Sequence, residues 1–122
     1  MARAQDYLGL NDKYLKEAKT LMEKGDYVQA SEKFWGAAAE IVKAVAAERS
    51  VEIRSHGELH GFVTRLGREL HDPGLLRLFA SASALHQNFY ENWLPPEMVE
   101  NYGEAVKELV ERLKELLDRH DH

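Results

Sequence analysis

Within the run Ala84-Leu85-His86-Gln87-Asn88-Phe89-Tyr90-Glu91-Asn92-Trp93-Leu94, His86 is the side chain best suited to chemistry. An imidazole titrates near neutral pH, so it can exchange protons with a bound ligand. Tyr90, one helical turn further on, brings a phenolic hydroxyl to the same place. At 100° per residue His86, Tyr90 and Trp93 share a stripe with Leu75, Phe79, Ala82 and Phe89, whereas Asn88 and Glu91 point to the opposite side. The expected division is a semi-buried pocket lined by His86 and Tyr90, with Asn88 and Glu91 turned outward as partner contacts. His86, Asn88, Tyr90 and Glu91 are therefore the candidate binding residues. The plainer reading of His86 is a core histidine hydrogen-bonded to a tyrosine or a carbonyl. Trp35 and Trp93 read first as packing residues, although an indole also stacks on bases and anchors interfaces.

His56 and His60 stand four residues apart, a spacing that places two imidazoles on one helical face as metal ligands require. Two ligands do not make a site, and His-Gly-Glu-Leu-His is not the zinc-protease order, in which Glu directly follows the first His. The pair reads instead as a helix-boundary pair beside Leu59 and Val63, and neither a metal nor a cofactor is expected. Adventitious metal binding by His120 and His122 is outweighed by a simpler account, a disordered tail. Lys107, Glu108, Glu111, Arg112, Lys114 and Glu115 have the spacing of a solvated face with intrahelical pairs. The chain contains no glycine-rich phosphate loop or serine-nucleophile elbow.

These residues must be carried by helices, because the apolar period stays near 3.6 and no stretch alternates as an exposed strand does. The first helix is expected from about Ala4 to Lys24, with Tyr7, Leu10, Tyr14, Ala18, Leu21 and Met22 inward and Gly25 as its left-handed stop. Asp26 caps the second, about Tyr27 to Glu48, with Gln29 at the capping-box position. Its apolar arc includes Phe34, Ala38, Ile41 and Val45, with Trp35 and Val42 beside them, and is too wide for a helix with one neighbour. Ser55 and Glu58 form a second capping box before a third helix, His56 to Leu70. The fourth runs from about Pro73 to Trp93, where Pro95 and Pro96 stop the chain. Its reverse side offers Ala80, Ser81, Ala84 and Asn88, which would let another helix approach closely, in a bundle or across a dimer. A fifth helix runs to about Leu117, and Asp118 to His122 are expected to fray.

The 122 residues suffice for one domain, 1–122, with a core that needs no disulfide or metal. Cysteine is absent, which excludes thiolate sites and fits a reducing, cytoplasmic compartment. No window approaches the roughly 18 to 20 apolar residues of a membrane span. With 21 acidic against 16 basic residues the net charge is −5, the wrong sign for nonspecific DNA binding. Gly25-Asp26-Tyr27 with Ala30 and Phe34 looks like part of a tetratricopeptide unit, but nothing repeats it after about 34 residues.

Two segments carry a more specific resemblance. Gly25-Asp26-Tyr27-Val28-Gln29-Ala30-Ser31-Glu32-Lys33-Phe34-Trp35-Gly36-Ala37-Ala38-Ala39, with Leu85-His86-Gln87-Asn88-Phe89-Tyr90-Glu91 downstream, resembles the signature of the archaeal PaREP family. Ser55-His56 and the Asp72-Pro73 helix start fall between them in the matching order. The resemblance implies an all-α domain similar to the HEPN superfamily, whose members are commonly dimeric bundles, often partnered with nucleotidyltransferases and sometimes RNases. Catalytic members of that superfamily place an Arg four to six residues before a His. If His86 is that histidine, the arginine belongs at Ala80-Ser81-Ala82, where there is none, and Arg77 is too far upstream. Arg54 to His60 and Arg65 to His71 have suitable spacings and Arg49 to His56 is one residue longer, as eight arginines and six histidines also produce by chance.

The sequence thus predicts an all-α, HEPN-like antiparallel bundle of about five helices, dimerising through the wide apolar faces of its second and fourth helices. The expected function is a noncatalytic binding module recognising a nucleotide or a protein partner, such as a nucleotidyltransferase-type protein. The alternatives are a divergent metal-independent RNase and a tetratricopeptide-like scaffold.

Overall fold

The computed structural model describes residues 2–120, and among these it contains five α-helices and no strand. They are α1 (Ala4–Glu23), α2 (Tyr27–Glu48), α3 (His56–Glu69), α4 (Gly74–Glu91) and α5 (Pro96–His120). The boundaries follow from local chemistry. Gly25 takes φ +78° and ends α1. The Asp26 carboxylate accepts the Gln29 N–H at 3.2 Å to begin α2, and Ser55 Oγ accepts the Glu58 N–H at 3.1 Å to begin α3. Asp72 Oδ1 accepts the Gly74 N–H at 3.1 Å at the start of α4. The helix α5 continues through Asp118 and Arg119 to His120. Of the tail expected to fray, Asp121 and His122 lie outside the described residues.

Helix α2 is the axis of the bundle and packs against α1, α3, α4 and α5. Phe34, Ala37, Ala38, Ile41, Val42 and Val45 are all buried, together with Phe79 and Leu85 of α4 and Val106, Leu109 and Leu113 of α5. The wide apolar arc of α2 is therefore consumed within the chain and is not the dimer face expected of it. In α1 the buried position is Asn11 in place of the predicted Leu10, which is 37% exposed. Asn11 Nδ2 donates to the Ala37 carbonyl of α2 at 2.7 Å, giving the α1–α2 contact a polar pin that the apolar pattern did not reveal. Among the described residues no helix is long and apolar enough to cross a membrane.

In α4 the buried positions are Leu75, Phe79, Ala82, Leu85 and Asn88. Their spacing is shorter than a helical turn, so the buried line drifts around the helix and by its last turn has left the stripe predicted from sequence. Asn88 is 1% exposed, whereas Tyr90 and Trp93, expected inward, are 70% and 59% exposed. The helix also ends earlier than the proline pair requires, at Asn92 in the left-handed region, φ 49°.

Candidate functional site

The polar residues of α2 gather on one face. Glu32, Gly36, Ala39, Glu40 and Lys43 follow the three- and four-residue spacing that aligns side chains along a helix. With Tyr14 of α1 and the segment from Ile53 to His56, they line a cleft of about 430 Å³, closed at its base by Trp35 and Leu59. Gly36 allows the close approach of α1, since a Cβ there would lie 2.9 Å from Tyr14 Cδ2.

The inner wall carries the rings of Trp35 and His56, which join others behind it in a cluster drawn from three helices. Trp35 of α2 stacks on His86 of α4, with centroids 4.8 Å apart and planes 23° from parallel. His56, the first residue of α3, sets its ring edgewise to both, 5.4 Å from Trp35 and 5.2 Å from His86. Tyr90 closes the far side of His86 edgewise at 5.4 Å. His86 Nδ1 lies 2.8 Å from Glu32 Oε1, a contact that joins α4 to α2 and fixes the orientation of the imidazole. With one nitrogen on a carboxylate and one face on an indole, His86 is a half-buried positioning element that backs the cleft residues Glu32 and Trp35 without lining the cleft itself.

The electrostatics of the cleft are mixed. Burial raises the Glu40 carboxyl above its ordinary value, and Lys43, 3.7 Å away, offsets part of that shift. One carboxyl oxygen, Glu40 Oε2, is buried without a hydrogen-bond partner. Lys33 pairs with Glu17 at 3.3 Å and lies over the Tyr14 ring, and Arg54 pairs with Glu52 at 3.0 Å on the open side. The Arg54 guanidinium holds the exposed Glu52 carboxyl below its usual range.

Of the four residues predicted to bind, His86 and Tyr90 stand together in the ring cluster and Glu91 is exposed on the surface. Asn88 does not face outward. Its Nδ2 donates to Ser31 Oγ at 3.0 Å, and its Oδ1 accepts the N–H groups of Trp93 and Leu94, each at 2.8 Å. The amide therefore serves the C-terminal end of α4, and the reason is burial: with its own carbonyl accepting from Asn92, α4 stops there and the next two N–H groups need an acceptor.

The arginines at or near a suitable spacing are engaged elsewhere. Arg49 makes a bidentate ion pair with Glu69 at 2.9 and 2.7 Å, Arg54 pairs with Glu52, and Arg65 lies over the Phe62 ring. His56 and His60 diverge, because His60 packs edgewise on Phe79 while His56 joins Trp35. Among the described residues no group of three or more His, Asp or Glu side chains is placed to hold a metal ion. Sequence reasoning missed Glu32, Trp35, His56 and Glu40. The available signal was the polar line from Glu32 to Lys43 on a helix otherwise apolar around most of its circumference.

No curated protein matches the chain. Among solved structures it is similar to a crystal structure of a protein from Sulfolobus solfataricus, with 27% sequence identity and a TM-score of 0.79. That alignment covers 88% of this chain and 96% of the other. The archaeal PaREP1/PaREP8 family matches residues 6–110, a span that takes in Glu32, Trp35, Glu40, His56 and His86. The protein belongs to the archaeal PaREP1/PaREP8 family.

Proposed function

We propose that the chain is a noncatalytic, HEPN-like binding module that acts as a homodimer and takes a nucleotide-sized ligand in the cleft between α1, α2 and the start of α3. The observation that carries this reading is the pair of rings that line the cleft, Trp35 with His56, backed by His86, which stacks on Trp35 and is held by the Glu32 contact. A cleft of about 430 Å³ falls in the range of small-ligand sites, and fixed rings with a few convergent polar groups are what such sites use for orientation. Lys43, Arg54 and Ser55 supply donors for an anionic ligand group.

A protein-partner reading has support of its own at the end of α4. Trp93 is 59% exposed, yet its backbone N–H is fixed by Asn88, so a large aromatic is displayed at low conformational cost. A ribonuclease reading is disfavoured because each arginine spaced suitably from a histidine is spent on another group.

Calorimetric titration of the purified protein with adenosine, guanosine and uridine mononucleotides tests the proposal. Saturable binding by at least one of them is expected, weakened at least tenfold by His56→Ala or Lys43→Ala without a change in unfolding midpoint. Failure of all of them to bind overturns the nucleotide reading. Metal-independent RNA cleavage lost on His86→Ala or His60→Ala, with the fold intact, would establish the ribonuclease in its place.

A further inference from the structure

The face of α4 turned away from the core is largely exposed, with Leu76 at its start packed beside Gly67 of α3. Leu76, Ala80, Ser83, Ala84, Gln87 and Tyr90 lie within one arc of the helix, and Arg77 and Glu91 lie within the same arc. Leu76 is 40% exposed and Tyr90 70%. Between them, Ala80, Ser83 and Ala84 line a groove of about 410 Å³ shared with His60 and Thr64 of α3. The Arg77 guanidinium and the Glu91 carboxylate have no ion-pair partner among the described residues, whereas most charged side chains of α5 do.

We infer that this face is the dimer interface, and that a second copy of the chain packs its α4 antiparallel on the first, with the two-fold axis near Ser83 and Ala84. This inference rests on the homodimer proposed above and names its surface. A two-fold contact must be self-complementary, so each position has to find its counterpart at an equal distance beyond the axis. The sequence of α4 meets that condition to within one residue. The pair Leu76 and Tyr90 is centred on Ser83 and the pair Arg77 and Glu91 on Ala84, so one axis between these two residues leaves each pair about 1.5 Å along the helix from direct opposition. Antiparallel packing therefore sets Leu76 against Tyr90 of the partner subunit, and Arg77 against Glu91 of the partner subunit, at both ends of the contact. The small side chains fall at the crossing, where helix axes approach most closely. The two apolar and charged ends are about 21 Å apart along the helix at 1.5 Å per residue. A parallel arrangement would instead oppose Arg77 to Arg77 of the partner subunit and Glu91 to Glu91 of the partner subunit, and is disfavoured by like-charge repulsion.

The same face reaches the ring cluster behind the cleft, since the Tyr90 ring that meets the second copy also sets its edge on His86.

Sedimentation equilibrium of the full chain, compared among wild type, Arg77→Glu, Glu91→Arg and the double variant, tests the interface. Both wild type and the double variant are expected to dimerise, and each single variant to raise the dimer dissociation constant at least tenfold, because it opposes like charges at both ends. Both positions are exposed in the subunit, so helicity by circular dichroism is expected to stay unchanged. A wild-type dimer that none of the substitutions weakens would overturn this interface while leaving the homodimer to another face. A wild-type protein that stays monomeric across the accessible concentration range would overturn the interface and the homodimer together.

Discussion

Asn88 of α4 and Ser31 of α2 meet in the core, the Asn88 Nδ2 donating to Ser31 Oγ at 3.0 Å while Ser31 Oγ donates to the Tyr27 carbonyl at 2.7 Å. The same Asn88 side chain accepts the backbone N–H groups of Trp93 and Leu94. One amide thus couples the α2–α4 contact to the path by which the chain leaves α4. Asn88→Ala removes all three bonds and leaves two backbone donors without an acceptor. At about 1 kcal/mol or more per lost bond at a part-buried site, the expected cost is about 2–4 kcal/mol. Urea unfolding checks this as a lower midpoint with an unchanged slope. A cost below about 0.5 kcal/mol would show that water replaces the amide freely.

Glu40 gives the protein a pH dependence of definite sign. Burial holds its carboxyl above the ordinary value of 4.5, with Lys43 acting in the opposite sense. Between that value and the raised one, the unfolded chain has released a proton that the native chain still holds. Stability therefore falls as pH rises through this window, and the loss persists above it. Glu40→Gln abolishes the titration, so its stability relative to wild type is expected to be more favourable at about pH 7 than at about pH 4. Urea unfolding at the two pH values gives the comparison directly, and an unchanged difference would mean that the carboxyl is solvated in the native state.

Two glycines in helices predict opposite outcomes for the same substitution. At Gly103 of α5 a Cβ would lie 2.7 Å from Phe34 Cε2 and Cζ, and Phe34 is a core ring only 3% exposed. Gly103→Ala is expected to destabilise by about 1–3 kcal/mol through overpacking, despite the better helix propensity of alanine. At Gly9 of α1 nothing lies within 4 Å of the added Cβ. Gly9→Ala is expected to stabilise by about 0.5–1 kcal/mol, the propensity difference alone. Thermal unfolding of the pair, read as melting temperatures moving in opposite directions, checks both.

His86→Ala separates the positioning role of this residue from any catalytic one. It removes the stack on Trp35 and leaves the Glu32 carboxylate without its partner across the α2–α4 contact. The expected effect is a destabilisation of about 1–3 kcal/mol together with weaker ligand binding. His86→Phe retains the stack and not the contact with Glu32. It is expected to recover part of the stability, and tryptophan fluorescence reports whether the Trp35 environment has been restored.

The helix boundaries were legible in the sequence because they are set by neighbours along the chain. Asp26 with Gln29, Ser55 with Glu58, and Gly25 at positive φ each act within a few residues. The archaeal family was legible too, in the two segments of α2 and α4 that meet where His86 contacts Trp35 and Glu32. The phase of the last turns of α4 was not. A strict 100° step places Asn88 outward, but α4 lies against α2, α3 and α5 together, and its buried line drifts with them. The meeting of Trp35, His56 and His86 was hidden for a related reason, since it depends on three helices converging from positions as far apart as 51 residues. Asn11 escaped because a polar residue in an apolar stripe reads as exposed unless its acceptor, the Ala37 carbonyl, is already known.

Native mass spectrometry of the untagged protein, as purified and after addition of the mononucleotide set, is the most direct test of the binding-module account. A dimer that carries a nucleotide-sized adduct, retained from the cell or taken up on addition, is the predicted result. A monomer with no adduct under either condition would contradict both the dimer and the ligand.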